Sequence, residues 1–372
     1  MIYKKTAETL KKGANSLDRD YYINPEILNN EYENIFLKNW VCAGRTSELI
    51  NQGKFKVMNL GSESAIILRY SKNELKAFTN ICRHRGTRIC EKNKGKFSNA
   101  IQCGYHGWTY SLDGKLIGAP HMDSIENFDK NDYPLFPIGI AEWEGFIFIN
   151  FNDNPESFEK SFSPIFNKFT NWNLSQLFSL ETKTYKVKAN WKLIIQNYSE
   201  CYHCPIIHPE LSSITPYLSG RNDLFEGSFL GGYMNFKANK ESITSSGKLC
   251  CPPIRDLNKD DLDRVYYYSI SPNMLLSLHP EYVMYHTVLP INVDSCEIRC
   301  SWLFEKNVVI SDSYNTKEAI DFWDKTNKQD WKICEMSQLG IQSKKYSPAP
   351  YSSQESLLAA FDKNYKLLLN KK

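Results

Sequence analysis

Two short segments, Cys82-Arg83-His84-Arg85-Gly86 and Cys103-Gly104-Tyr105-His106-Gly107-Trp108, constrain this chain more than anything else in it. Each offers one thiol and one imidazole within four residues, too close together to span separate elements. The fold must therefore bring two loops to one end of a small unit, where they grip a shared centre from opposite sides. The surrounding sequence fits such a unit. Residues 55–60, 65–70 and 76–80 are short alternating runs separated by turn-forming residues, Asp113-Gly114 marks a tight hairpin, and 145–151 is an apolar run. This pattern predicts an all-β meander.

Two thiolates can hold one iron of a two-iron, two-sulfur cluster while two imidazoles hold the other. Replacing thiolate by neutral imidazole lowers the negative charge and raises the reduction potential to roughly −150 to +300 mV. A Cys2His2 zinc site uses the same ligand types, but it groups its cysteines in one pair and its histidines in the other, and opens a recognition helix. Here both pairs are mixed. Gly86 and Gly104 are expected to let the loop backbone approach the sulfurs.

The chain has 372 residues, 42% of them hydrophobic, which is enough for two cores. A net charge of +3 without a block of like charges argues against a nucleic-acid partner. The N-terminus is polar, and no stretch approaches the roughly 18 apolar residues of a membrane span, so a cytoplasmic protein with no membrane partner is expected. Its eleven cysteines then read as reduced thiols and a few metal ligands.

Residues 1–40 read as a polar arm and a helix opened by Asn24-Pro25 that packs on the catalytic domain. Residues 41–155 form the β unit, and 156–372 a larger domain. In the latter, 182–189 reads as a strand, 190–204 as a helix stopped by Pro205, 265–305 as four strands, and 317–341 as a long helix. The class is α+β. Residues 210–260 read as loop, and which of them line a pocket is not legible.

The segment 197–209 holds Glu200, His203 and His208. On a continuous helix the two imidazoles would lie about 140° apart, but a break at Pro205 would bring the second back toward the first. Two histidines and a carboxylate, with open positions left over, suit non-haem Fe2+ that activates O2. Asp330, among Trp331, Ile333 and Cys334 on the long helix, is the preferred third ligand, although Asp324 and Glu335 are not excluded by local chemistry.

The patterns C-x-H-R-G, C-x-x-H-G-W-x-Y, E-C-Y-H-C-P-x-x-H-P and D-W-x-x-C-E-x-x-Q-x-G resemble the Rieske non-haem iron oxygenase α subunits. They are most similar to the branch acting on glycine betaine, choline and carnitine, and the resemblance extends over the chain beyond residue 25. It implies an N-terminal Rieske domain with a 2Fe-2S cluster on Cys82, His84, Cys103 and His106. It also implies a helix-grip (START-like) catalytic domain with an antiparallel sheet, a long C-terminal helix, and Fe2+ on His203, His208 and Asp330. The family forms homotrimers in which a carboxylate, here Glu200, bridges to a cluster histidine of the neighbouring subunit. An acid often precedes the Asn-Tyr pair, where this chain has Gln196.

The expected reaction is O2-dependent hydroxylation, leading to oxidative N-demethylation, of a small quaternary ammonium or N-methyl compound. NAD(P)H would act through a separate flavin and ferredoxin-type reductase, since no G-x-G-x-x-G follows a strand here. The alternatives are hydroxylation of an aromatic ring, or a Rieske electron carrier with a ligand-binding domain and no catalytic iron. A redox dithiol at Cys201-x-x-Cys204 is disfavoured by its surroundings. His121, His279 and His286 are expected to be hydrogen-bonded structure, and a trimethylammonium pocket is sought among Tyr233, Phe236, Tyr266, Tyr267, Tyr268, Tyr282, Tyr285 and Trp302.

Overall fold

Two units emerge from the contacts of the chain, one of residues 36–158 and one joining the residues before 36 to those from 159 onward. The structure is a computed structural model and describes residues 2–371.

The smaller unit consists of three antiparallel sheets. One runs in the order Glu74–Thr79, Glu63–Ser71, Lys54–Leu60, Lys94–Lys96; a second pairs Gly139–Trp143, Phe146–Asn150 and Val41–Arg45; the third is Ala100–Gln102, Thr109–Ser111, Leu116–Gly118. Alternate side chains such as Ile66, Leu68, Ile101 and Tyr110 fill a core that also holds the Cys82 and Cys103 thiols. Gly114 has φ +89°, and a Cβ there would come within 2.5 Å of the Phe78 ring. Only glycine fits that hairpin.

The larger unit is an eight-stranded antiparallel sheet. Its order is Lys4–Lys5, Arg221–Glu226, Phe229–Asn235, Arg264–Ile270, Met274–Leu278, Val283–Asn292, Ser295–Glu305, Leu177–Val187. The 25-residue helix Lys317–Ile341 buries Phe322, Trp323, Trp331 and Cys334, and the first two of these share a core with Val265, Met284, Cys300 and Trp302 of the sheet. The N-terminal helix Pro25–Glu31 starts where predicted, with Asn24 capping the Glu26 amide. Its buried Glu31 accepts from Lys192 Nζ at 2.5 Å, Trp191 Nε1 at 2.6 Å and Tyr365 at 2.6 Å. These bonds fix the start of the helix Trp191–Tyr198, and deleting either charge of the ion pair would strand the other away from water.

Four features differ from the sequence expectation. The polar arm contributes an edge strand, Lys4–Lys5. The strand expected to begin at 182 begins at Leu177. Residues 221–235 form a hairpin that was illegible because its second strand contains Gly231-Gly232, where a Cβ would strike the Tyr267 and Arg221 carbonyls at 2.1 and 1.8 Å. A C-terminal helix, Ser356–Leu369, was not anticipated. Among the described residues no helix is long and apolar enough to cross a membrane.

Glu281 makes a stability prediction. It is 1% exposed, and Oε1 accepts from the Ser242 hydroxyl while Oε2 has no partner. Burial pushes its pKa from 4.5 up to about 7. Between those values the folded state holds the extra proton, so this residue's contribution to stability falls as pH rises through the window. The stability of the wild type relative to Glu281→Gln should therefore drop by about 2 to 3 kcal/mol from pH 5 to pH 8 in denaturant titrations. A pH-independent difference would contradict this.

Candidate active site and metal centres

The two Cys/His loops of the smaller unit have the same backbone. In each, the glycine four residues after the cysteine returns its N–H to the cysteine carbonyl (Gly86 to Cys82, 2.9 Å; Gly107 to Cys103, 3.1 Å). Each cysteine N–H binds the carbonyl one residue further on (Thr87 and Trp108, both 2.8 Å). Gly86 and Gly107 carry the left-handed turns, at φ +71° and +72°. The loop glycine that matters is thus Gly107, where the sequence reading had singled out Gly104.

Cys82 and Cys103 are buried, His84 is half-buried and His106 exposed, and the two imidazole centroids are 4.7 Å apart. His84 stacks on Trp108 at 4.9 Å, and its Nδ1 is buried with no hydrogen-bond partner. Buried thiols, two imidazoles side by side nearer the surface and an orphaned imidazole nitrogen fit a 2Fe-2S cluster held by these four residues.

In the larger unit the helix holding Gln196 ends at Tyr198, not at residue 204. Pro205 opens a short helix, Cys204–Ile207, instead of breaking a long one, because proline is at home in a first turn, where its missing N–H is no loss. His203 and His208 flank that helix, and their ring centroids are 5.2 Å apart. Glu200 lies in the preceding loop and not on a helical face with His203. Its Oε1 is 2.5 Å from His203 Nδ1, and its Oε2 accepts the Tyr202 and His203 amides. On the other side, His208 Nδ1 is 2.8 Å from Gln329 Oε1.

With both Nδ1 atoms donating to oxygens, both Nε2 atoms are left to face one point. Asp330 Oδ1 meets them there, 3.3 Å from His203 and 2.7 Å from His208. Burial pulls the His203 imidazolium down, but Asp330 and Glu200 outweigh it and hold its pKa at about 10. Burial alone would raise the Asp330 carboxyl, yet the two imidazoles hold it below its usual value. A site that favours positive charge so strongly, with ligand atoms within 4.8 Å of one another, fits a divalent metal ion. Asp324 is turned to Tyr185, Lys183 and Lys328, and Glu335 accepts the Lys188 amide. Of the three carboxylates weighed from the sequence, Asp330 alone reaches the imidazoles.

Other expectations are corrected. Cys201 and Cys204 are disulfide-bonded, because the turn sets their Cα atoms 4.9 Å apart. His279 and His286 are buried, and none of their ring nitrogens is hydrogen-bonded. Gln196 lacks the anticipated acid but receives one from the C-terminal helix, bonding Asp362 Oδ1 at 2.7 Å.

A cavity of about 120 Å³ opens beside His203, His208 and Asp330. One wall is the face of the long helix, Trp323, Thr326, Asn327, Asp330 and Trp331, spaced as helical neighbours are. The other comes from alternate residues of the sheet: Gly232 and Met234, Tyr267 and Ser269, Met284 and His286. Of the strand aromatics considered from the sequence, Tyr233 and Tyr267 line it, and the other six do not. Tyr198, Tyr217, Trp323, Trp331 and the orienting Gln329 were missed, although helical spacing from Asp330 would have found Trp323. Among the described lining residues Glu200 and Asp330 are the only carboxylates, and no lysine or arginine is present.

Residues 174–370 match the family described as ring hydroxylating alpha subunit (catalytic domain), and residues 39–129 match the Rieske 2Fe-2S domain. The glycine betaine monooxygenase oxygenase subunit of Pseudomonas aeruginosa is 29% identical over 388 aligned residues, which cover 94% of this chain and 88% of that protein. A solved quaternary ammonium Rieske monooxygenase, described for carnitine oxidation and inter-subunit electron transfer, superposes with TM-score 0.80 at 23% identity over 99% of both chains. Naphthalene 1,2-dioxygenase from Rhodococcus sp. superposes almost as well, at TM-score 0.78 and 19% identity over 98% of both chains. The shared fold therefore does not choose between an N-methyl compound and an aromatic ring.

Proposed function

Because the chain belongs to the ring-hydroxylating oxygenase alpha subunits and carries their Rieske domain, it is an O2-dependent oxygenase component, and we propose that its substrate is a small quaternary ammonium compound hydroxylated on an N-methyl group. The observation that carries this reading is the cavity itself. Tyr267 and Trp323 line it beside the His203, His208 and Asp330 cluster, and among the described lining residues Glu200 and Asp330 bring negative charge while no lysine or arginine is present. A trimethylammonium head is attracted to aromatic faces by cation–π interaction.

His203, His208 and Asp330 would hold the catalytic Fe2+, and Cys82, His84, Cys103 and His106 the cluster. When bound, these centres supply O2 activation and single electrons, which the family draws from NAD(P)H through a separate reductase. Glu200 and Gln329 keep the two imidazoles aimed, and the aromatic walls exclude water and place an N-methyl carbon beside the cluster of ligands. One O2, two electrons and two protons convert the methyl group to hydroxymethyl and release water. The hydroxymethyl ammonium then loses formaldehyde and a proton, leaving a tertiary amine.

The proposal extends to a cytoplasmic homotrimer in which Glu200 links His203 to a cluster histidine of the next subunit. Exposed Tyr202 (53%) and Ile206 (85%) beside the iron loop, and Tyr105 (57%) beside His106, support mutual docking of these two surfaces. With a surrogate reductase, glycine betaine, choline or carnitine should give formaldehyde in step with O2 consumed. A hydroxylated ring from an aromatic acid, with no formaldehyde from any N-methyl compound, would overturn the substrate reading.

A further inference from the structure

His286 lies on the strand Val283–Asn292, two residues from Met284 on the same cavity wall. It is 1% exposed, and neither ring nitrogen has a hydrogen-bond partner. Tyr198 and Trp331 flank it edge-on, at 6.2 and 6.1 Å between ring centroids. A buried imidazole left this way forgoes hydrogen bonding that an oxygen atom in the cavity would restore.

The charge of that oxygen follows from the rest of the wall. With no lysine or arginine among the described lining residues, and Glu200 and Asp330 both in the wall, a substrate carboxylate held away from the His203, His208 and Asp330 cluster would lose its water and gain no side-chain cation. A hydroxyl suffers no such penalty. Donors and acceptors for one are at hand in His286, Asn197, Ser269 and Asn327.

We propose that His286 is a specificity-determining residue that hydrogen-bonds an uncharged oxygen on the substrate tail, so that the cavity prefers a quaternary ammonium alcohol to a carboxylate-bearing betaine. This rests on the quaternary ammonium reading and sharpens it.

The test is calorimetric binding to the assembled, metal-loaded protein without O2, using three probes: tetramethylammonium (head alone), choline (head and hydroxyl) and glycine betaine (head and carboxylate). Choline should bind about tenfold more tightly than either of the others. His286→Phe should weaken choline about tenfold and leave tetramethylammonium within about twofold, and His286→Asn should retain part of the preference. Glycine betaine binding as tightly as choline, or equal losses for choline and tetramethylammonium in His286→Phe, would overturn the proposal while leaving the quaternary ammonium reading intact. Failure of all three probes to bind would overturn both. If the variants do not fold, the wild-type ranking of choline against glycine betaine decides.

Discussion

Asp330→Ala should lose oxygen incorporation by at least about 100-fold, more than the 10- to 100-fold typical of losing a residue that merely supports a metal ligand. Bound iron should fall from about three to about two atoms per chain, because the cluster resides in the other unit. Asp330 Oδ1 lies within 3.3 Å of both imidazole Nε2 atoms, so its removal leaves two neutral donors and no compensating negative charge. Asp324→Ala and Glu335→Ala serve as controls, since these carboxylates bond Tyr185 and the Lys188 amide instead. Iron analysis and product yield are the measurements. Unchanged iron in Asp330→Ala, or loss of iron in either control, would remove Asp330 from the metal centre.

The second large effect concerns the smaller unit. His84→Cys combined with His106→Cys would replace two neutral ligands by two thiolates, adding two negative charges beside the cluster. Its potential should fall from the Rieske range to near −400 mV, a drop of at least about 250 mV. Electron delivery from a reductase would then run uphill, and NAD(P)H-dependent O2 uptake should stop although the protein keeps its colour. A redox titration followed by absorbance checks this. An unchanged potential would mean that the imidazoles are not ligands.

Much of this was readable from residue order, because the decisive signals are local. Cys82-x-His84 and Cys103-x-x-His106 each fit on one five-residue turn, and the helix 317–341 buries apolar residues at helical spacing, from Ala319, Ile320 and Trp323 to Trp331, Cys334 and Ile341. What failed was non-local. The turn at 199–208 was misread because Pro205 ends or begins a helix according to what precedes it, and here the Ser199 turn had already closed the previous helix. The 221–235 hairpin escaped because Gly231 and Gly232 answer to the neighbouring backbone and not to strand propensity. Gln329 could not be assigned its role beside His208 until residues 121 positions apart were brought together.

The helix Lys317–Ile341 bears Trp323 and Trp331 on the cavity wall and Asp330 between them. Seven residues of helix separate Trp323 from Asp330, about 10 Å of stiff rod. Reshaping that wall from the helix side therefore drags a chelating carboxylate with it. The strands opposite, with Tyr233, Tyr267, Met284 and His286, hold none of the three chelating residues. Divergence toward new substrates is free to proceed on the strand side, and a designer wishing to retune this catalyst should begin there.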